Sequence, residues 1–263
     1  MNKLEIQVLA RHIAQHTLPI ISTQTRGGLA EIHGTGVLYD DGGRLFLITA
    51  AHVYEEGVDL TQFAVPLSPA SREIWTLGSF DRHAPKDDKR FDVMALEIKS
   101  PEFEAKLRAG WGVLDSTQVD LPTPATATSY IVTGYPHALS RTTPDQLIGT
   151  PLSIYTAMMP TAPTHADMPV DAGIDLFLLC DNSAKTLAGA PTELPKLHGI
   201  SGGPLWQLQE PTPGAAWAPD NVLRMVGVIT SYRASEYVRA KSWSLAAKIL
   251  AIVRQECFGD APG

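Results

Sequence analysis

After Pro19 the sequence breaks into short apolar runs, at residues 20–25, 29–38, 45–50, 74–77, 93–98, 130–133, 152–157, 176–179, 204–208 and 223–231, with turn-forming residues between them. Runs this short and this closely spaced cannot build a helical bundle, and they predict an all-β sandwich or barrel. Asp40-Asp41-Gly42-Gly43 lies between two of the runs and reads as a hairpin turn, because Asp and Gly tolerate positive φ. Helical spacing is confined to the two ends. Asn2 followed by Glu5, with Ile6, Leu9 and Ile13 at spacings of three and four, predicts a helix over 3–16, and Leu245, Ile249, Ile252 and Val253 predict a closing helix over 244–257. Segments 121–126, 159–173 and 209–221 read as loops. The first divides the chain into an N-terminal helix (1–18), a first β unit (19–120) and a second β unit carrying the closing helix (121–263).

The 263 residues suffice for one large domain, or two small ones packed together, with an adequate core and no metal or disulfide staples. Lys and Arg number 21 against 28 Asp and Glu, a net charge of −7 without a basic cluster, so the footprint of a nucleic-acid binder is missing. The mixed run Lys86-Asp87-Asp88-Lys89-Arg90 reads as a solvated loop. Cys180 and Cys257 have neither the spacing of a zinc site nor the number for a disulfide framework, which points to free thiols in a reducing cytoplasm. Glu, Gln, Arg and His interrupt the stretch where a signal peptide needs an apolar core, and no segment approaches the about 18 apolar residues that span a bilayer.

Chemistry concentrates in three places. Phe46 to Val53 is an apolar strand ending in small residues and His52; Arg90 to Leu96 puts Asp92 at the mouth of another strand; His198 to Leu205 sets Ser201 among glycines just before a third. A serine hydroxyl is a poor nucleophile unless a base takes its proton during attack, and an imidazole does so when a carboxylate fixes its tautomer. Glycines beside the serine let backbone N–H groups converge on a developing oxyanion. Competing readings are a structural His52, an Asp92 that caps its strand or pairs with Arg90, and a plain turn or anion nest at 199–203. Gly199-Ile200-Ser201-Gly202-Gly203 also satisfies G-x-S-x-G, but an α/β-hydrolase needs its histidine after the serine, and none of the last 62 residues is one. The remaining histidines share no metal-ligand spacing, and Trp111, Trp206, Trp217 and Trp243 read as packing residues.

In the order His, Asp, Ser, the three segments resemble the chymotrypsin-like (trypsin-like) serine protease family over about residues 20–255. Gly34-Thr35-Gly36-Val37 and Gly134-Tyr135-Pro136 resemble its approach strand and its second-barrel turn. The resemblance implies two six-stranded antiparallel β-barrels with the active site between them. It implies a triad of His52, Asp92 and Ser201, oxyanion donors at the amides of Gly199 and Ser201, a protein or peptide substrate, and no cofactor or metal. Ile200 stands where secreted members carry the Asp of their zymogen switch, which places the chain nearer the bacterial, disulfide-free branch. Pro195, six residues before the serine, stands where members that cut after Arg or Lys have Asp, implying a neutral pocket for an apolar or small P1 residue. Thr230-Ser231-Tyr232 resembles the strand that pairs with substrate backbone, with Tyr232 narrowing the pocket. The expected function is an intracellular serine endopeptidase. The alternatives are a pseudoprotease binding module and a protease latent until a protein partner orders its oxyanion turn.

Overall fold

A computed structural model of the chain describes residues 1–23, 29–54, 62–78, 80–122, 129–143, 146–180, 184–190, 192–211, 214 and 216–259. Residues 24–25 of the first expected strand and 123–126 of the expected boundary loop lie outside these. Helix α1 (Lys3–Gln15) opens with the expected capping box: the Asn2 side chain accepts the Glu5 N–H at 2.9 Å, and the Glu5 carboxylate accepts the Asn2 N–H at 2.6 Å.

The first sheet contains β1 (Leu18–Ser22), β2 (Glu31–Asp41), β3 (Arg44–Thr49), β4 (Phe63–Pro66), β5 (Ile74–Thr76), β6 (Phe80–His83), β7 (Met94–Ile98) and β8 (Val113–Leu114). Its order is β5-β4-β1-β2-β3-β7-β6, antiparallel throughout, and β8 adds to β2 in parallel. The second half contains β9 (Ser129–Gly134), a separate hairpin of β10 (Ser140–Thr143) and β11 (Gln146–Gly149), then β12 (Leu152–Thr156), β13 (Asp175–Leu179), β14 (Lys185–Thr186), β15 (Pro204–Leu208), β16 (Leu223–Arg233) and β17 (Tyr237–Ser242), with sheet order β13-β17-β16-β15-β9-β12-β14. Both sheets curl into half-barrels, as an all-β double-barrel reading requires. The strands number eight and seven, where six and six were expected; the two-residue strands β8 and β14 add one to each sheet, and the first sheet holds one more besides. Helix α2 (Asp88–Phe91) and α3 (Pro101–Gly110) lie around β7, α4 (Pro219–Val222) precedes β16, and α5 (Trp243–Gly259) closes the chain.

The apolar runs are continuous because the central strands are buried on both faces. Along β3, Leu45 and Leu47 point into the core of the first half-barrel, while Phe46 and Ile48 point into a second core shared with Ile131, Trp206, Met225 and helices α1 and α5. Along β15, Leu205 faces the interior of the second half-barrel and Trp206 the shared core. The shared core joins the two sheets, and the helices at both chain ends seal it. The hairpin between β2 and β3 is the expected two-residue turn, with Gly42 and Gly43 at φ 64° and 91° and the Gly43 N–H donating to Asp40 Oδ1.

The charged segment 86–90 is solvent-exposed at Lys86, Asp87 and Arg90, as expected, but from Asp88 it winds into α2 instead of staying a loop, with the Asp87 carboxylate accepting the Arg90 N–H and Phe91 packing against the shared core.

On the inner face of α1, His12 and His16 stack with ring centroids 4.2 Å apart and both meet Trp206 edge-on. Burial and the neighbouring His16 push His12 down to about 4 against the pull of Asp220, and burial also lowers His16. Both rings are therefore neutral in the folded state where the unfolded chain would protonate them. Stability is full above the ordinary histidine value and falls as pH drops towards about 4, with His12 alone contributing roughly 3 kcal/mol. Calorimetric melting temperatures at neutral pH and at about pH 5 should show the fall, and His12→Gln should shrink it.

Candidate active site

His52 sits in a 3-10 turn (Ala51–Tyr54) directly after β3, where the small residues Ala50 and Ala51 let the chain bend without crowding. Its ring Nδ1 lies 2.9 Å from Asp92 Oδ2 and 3.0 Å from Oδ1, and its own backbone N–H donates to Asp92 Oδ1 at 3.0 Å. Asp92 reaches this position between α2 and β7 with φ at 49°, a left-handed conformation that Asp adopts more readily than most residues. The competing partner weighed for Asp92 goes elsewhere, since Arg90 reaches Asp171 at 3.4 Å. With Nδ1–H given to the carboxylate, the lone pair of the His52 ring lies on Nε2. The imidazole is about half exposed and the carboxylate 17% exposed, so the pair opens onto a cleft of about 650 Å³ between the two sheets. Ser201 lines the same cleft, and its Oγ donates to the Thr230 carbonyl at a long 3.3 Å.

The turn carrying Ser201 has nearly all of its backbone committed. The carbonyl of His198 accepts from His137 N–H at 2.7 Å, that of Gly199 from the Thr35 hydroxyl at 2.7 Å, that of Ile200 from Gly203 N–H at 2.8 Å, and that of Ser201 from Thr35 N–H at 2.8 Å. The N–H groups of Ile200, Gly202 and Gly203 donate to Leu197, Ile229 and Ile200. From residue 199 to 203, the amides left over among the described residues are those of Gly199 and Ser201. In a trans peptide the N–H points opposite to the C=O. Anchoring the His198 and Ile200 carbonyls therefore aims the Gly199 and Ser201 N–H groups away from those anchors and fixes both peptides against flipping. Glycine is required throughout: Gly199 and Gly202 have φ of 97° and 86°, a Cβ on Gly202 would run into the Thr35 carbonyl and the Thr49 hydroxyl, and one on Gly203 into the Thr133 carbonyl. Ile200 turns inward, 2% exposed, into the core of the second half-barrel beside Leu197, Leu205 and Ile229.

The other expected site residues divide between two cavities. Thr230 and Ser231 line the cleft with His52, Asp92 and Ser201, whereas Pro195 lines an adjoining cavity of about 600 Å³ with Leu194, Leu197 and Cys180, and Tyr232 borders both. Glu193 and Lys196 also line that adjoining cavity and bring opposite charges to it. His198 stacks edge-on against Tyr232 with centroids 5.4 Å apart.

Sequence reasoning missed the part played by Thr35. Beyond its two bonds to the serine turn, its hydroxyl accepts Tyr135 N–H at 3.0 Å, so one β2 residue ties the first sheet to both sides of the second. The signal available was Gly34 and Gly36 on either side of it. Arg239 and Lys241 were missed as well; both line the cleft from β17.

Asp81, His83 and Glu97 bring ligand atoms within 4.8 Å of one another. Arg44 and Lys99 already neutralise them: Arg44 grips Glu97 bidentately, and Lys99 reaches Glu97 at 3.0 Å and Asp81 at 3.2 Å. Burial would raise the Glu97 carboxyl, but these two cations outweigh it and hold it at about 2. The cluster is a charge network of the first sheet. No helix among the described residues is long and apolar enough to cross a membrane.

No family model and no curated protein matches the chain. Among solved structures, one from work on the coupled folding and binding of the intrinsically disordered Sesbania mosaic virus VPg protein is similar, with 17% identity, 90% of each chain covered and a TM-score of 0.47.

The committed backbone of the serine turn makes Gly202→Ala a severe change. Urea unfolding should show a loss of roughly 3 kcal/mol or more, from positive φ and backbone collision combined.

Proposed function

We propose that the chain is a serine endopeptidase of the chymotrypsin-like kind, working through an acyl-enzyme, with Ser201 as nucleophile, His52 as general base and Asp92 as the group that fixes the imidazole. The observation that carries this reading is the pair of uncommitted amides at Gly199 and Ser201, on a serine turn that shares a cleft with a carboxylate-bound histidine. Ser201 Oγ leaves its weak contact with Thr230, gives its proton to His52 Nε2 and bonds to the substrate carbonyl carbon. The oxygen takes the displaced electron pair and is held by the two amides. Asp92 stabilises the imidazolium, which then protonates the leaving amine. Water, deprotonated by the same histidine, hydrolyses the ester and frees Ser201.

Substrate backbone adds to β16. Strand β15 stops where Pro204 faces Val228, while β16 runs on to Arg233, so Thr230 to Tyr232 extend past their neighbour beside the nucleophile. Pro195, Leu194 and Leu197 give the adjoining cavity an apolar wall, which suits an apolar or small P1 side chain. Ile200 has no charge to offer a newly cut N-terminus, which supports activity without proteolytic activation. Two cysteines are too few for a disulfide framework, which is compatible with a reducing cytoplasm. One observation favours a second reading, a latent protease completed by a protein partner: the resting hydroxyl of Ser201 is engaged by Thr230.

A fluorophosphonate probe, followed by intact mass and peptide mapping, should add one adduct at Ser201 and none in Ser201→Ala or His52→Ala. Labelling that needs cell lysate would establish the latent form, and no labelling under either condition would overturn the enzyme reading. Asp92→Asn should keep the fold and lower kcat by about 10⁴-fold, because the imidazole then presents the wrong tautomer.

A further inference from the structure

Beneath Ser231 the cleft has a charged floor. Arg239 and Lys241 lie two residues apart on β17 and so share a face, and Ser231 is paired with Arg239 in register, which puts its side chain on that face too. Both cations are 2% exposed, and both meet the fully buried Asp175, which faces Lys241 across β13. Two buried cations therefore share one buried carboxylate. That carboxylate is saturated: Oδ1 accepts from Arg239 Nε at 2.9 Å and Lys241 Nζ at 2.6 Å, and Oδ2 accepts from Arg239 at 2.8 Å and the Asp171 N–H at 2.7 Å. Arg239 spends its remaining donors on the Met168 and Pro169 carbonyls and, at 3.5 Å, on the half-exposed Asp167.

Lys241 is different. Its ammonium has three donors, and Asp175 is its one partner among the described residues. Ser231, opposite Arg239 and so diagonal to Lys241 on the same face, has a buried Oγ with no hydrogen-bond partner among the described residues. Buried cations are ordinarily paired and buried hydroxyls ordinarily bonded. A spare ammonium and an unpartnered hydroxyl fronting one cleft are the two halves of a carboxylate site that lacks its carboxylate.

We propose that Lys241 and Ser231 form a subsite for an acidic substrate side chain at P2, the residue before the one whose carbonyl is attacked. The assignment of position rests on the peptidase reading. The attacked residue lies at Ser201, whose hydroxyl touches the Thr230 carbonyl, so the residue before it falls opposite Ser231 on an antiparallel partner strand. Because Ser231 is small, a glutamate side chain there passes it to reach Lys241, accepting from both Nζ and Oγ.

Product-like peptides test this without requiring turnover. Acetyl-Ala-Ala-Glu-Leu and acetyl-Ala-Ala-Gln-Leu, whose terminal leucine carboxylate fixes the register at Ser201, are titrated into the full chain by calorimetry. The glutamyl peptide should bind about tenfold more tightly than its uncharged isostere, the effect of a charge-assisted hydrogen bond. Lys241→Met should erase the difference and Lys241→Arg should retain it. Should Lys241→Met not fold, Ser231→Asp, which places a carboxylate beside the ammonium, should erase it equally. Equal affinity of the two peptides for the wild type, tighter binding of the glutaminyl peptide, or no measurable binding of the glutamyl peptide overturns the subsite. A glutamate preference in a chain that no fluorophosphonate labels would sink the peptidase reading and leave the subsite standing; labelling with no preference would do the reverse.

Discussion

Thr35 holds the two halves of the molecule in the register that the candidate site needs. From β2 it gives its N–H to the Ser201 carbonyl and its hydroxyl proton to the Gly199 carbonyl, while its oxygen takes the Tyr135 N–H. The residue is fully buried, so each of these bonds would cost a desolvated polar group if lost. Because the bonds reach both the nucleophile turn and the segment after β9, the cleft between the sheets is set by backbone geometry before any side chain enters it. The His52 and Asp92 pair, placed at the ends of β3 and β7, then shares the cleft with a serine whose turn is tied to the same first sheet through Thr35.

The same economy explains why the two amides beside Ser201 stand out. A turn of this tightness has few free groups, and here the carbonyls are tied to His137, Thr35 and Gly203 while the neighbouring amides close onto the turn or β16. What remains is a pair of donors aimed by the groups around them. Preorganisation of this kind costs nothing at the moment of reaction, which is why it is worth more than equally many mobile donors.

Much of this was legible in the sequence where burial and chemistry coincide. Strands buried on both faces read as unbroken apolar runs, so β2, β3, β7, β15 and β16 stood out, and His52, Asp92 and Ser201 announced themselves by residue type and order at the ends of such runs. Short, half-exposed strands such as β6 (Phe80–His83) and the β10-β11 hairpin carry polar residues and gave no periodic signal. The most informative miss is β17. Its sequence Tyr-Val-Arg-Ala-Lys-Ser alternates like a strand with one wet face, yet every residue in it is buried, because Asp175 from β13 arrives opposite Lys241 and pairs with both cations. Periodicity records which faces are polar and is blind to a partner some 65 residues away in the chain that makes burial of that polarity tolerable. Thr35 was hidden for a related reason: a threonine inside a strand looks like β-propensity, and its hydroxyl's partners come from the other sheet.

Ile200 anchors the nucleophile turn by sinking into the core of the second half-barrel, beside Leu197, Leu205 and Ile229. An anchor made of hydrocarbon answers to different variables than one made of an ion pair. It is indifferent to ionic strength and to the protonation of any terminus, and its grip is entropic near room temperature, weakening on cooling as the driving force for apolar burial fades. Order in this turn is thus coupled to the apolar packing of the second half-barrel as a whole, and cooling is a perturbation that loosens this anchor where a change of salt does not screen it.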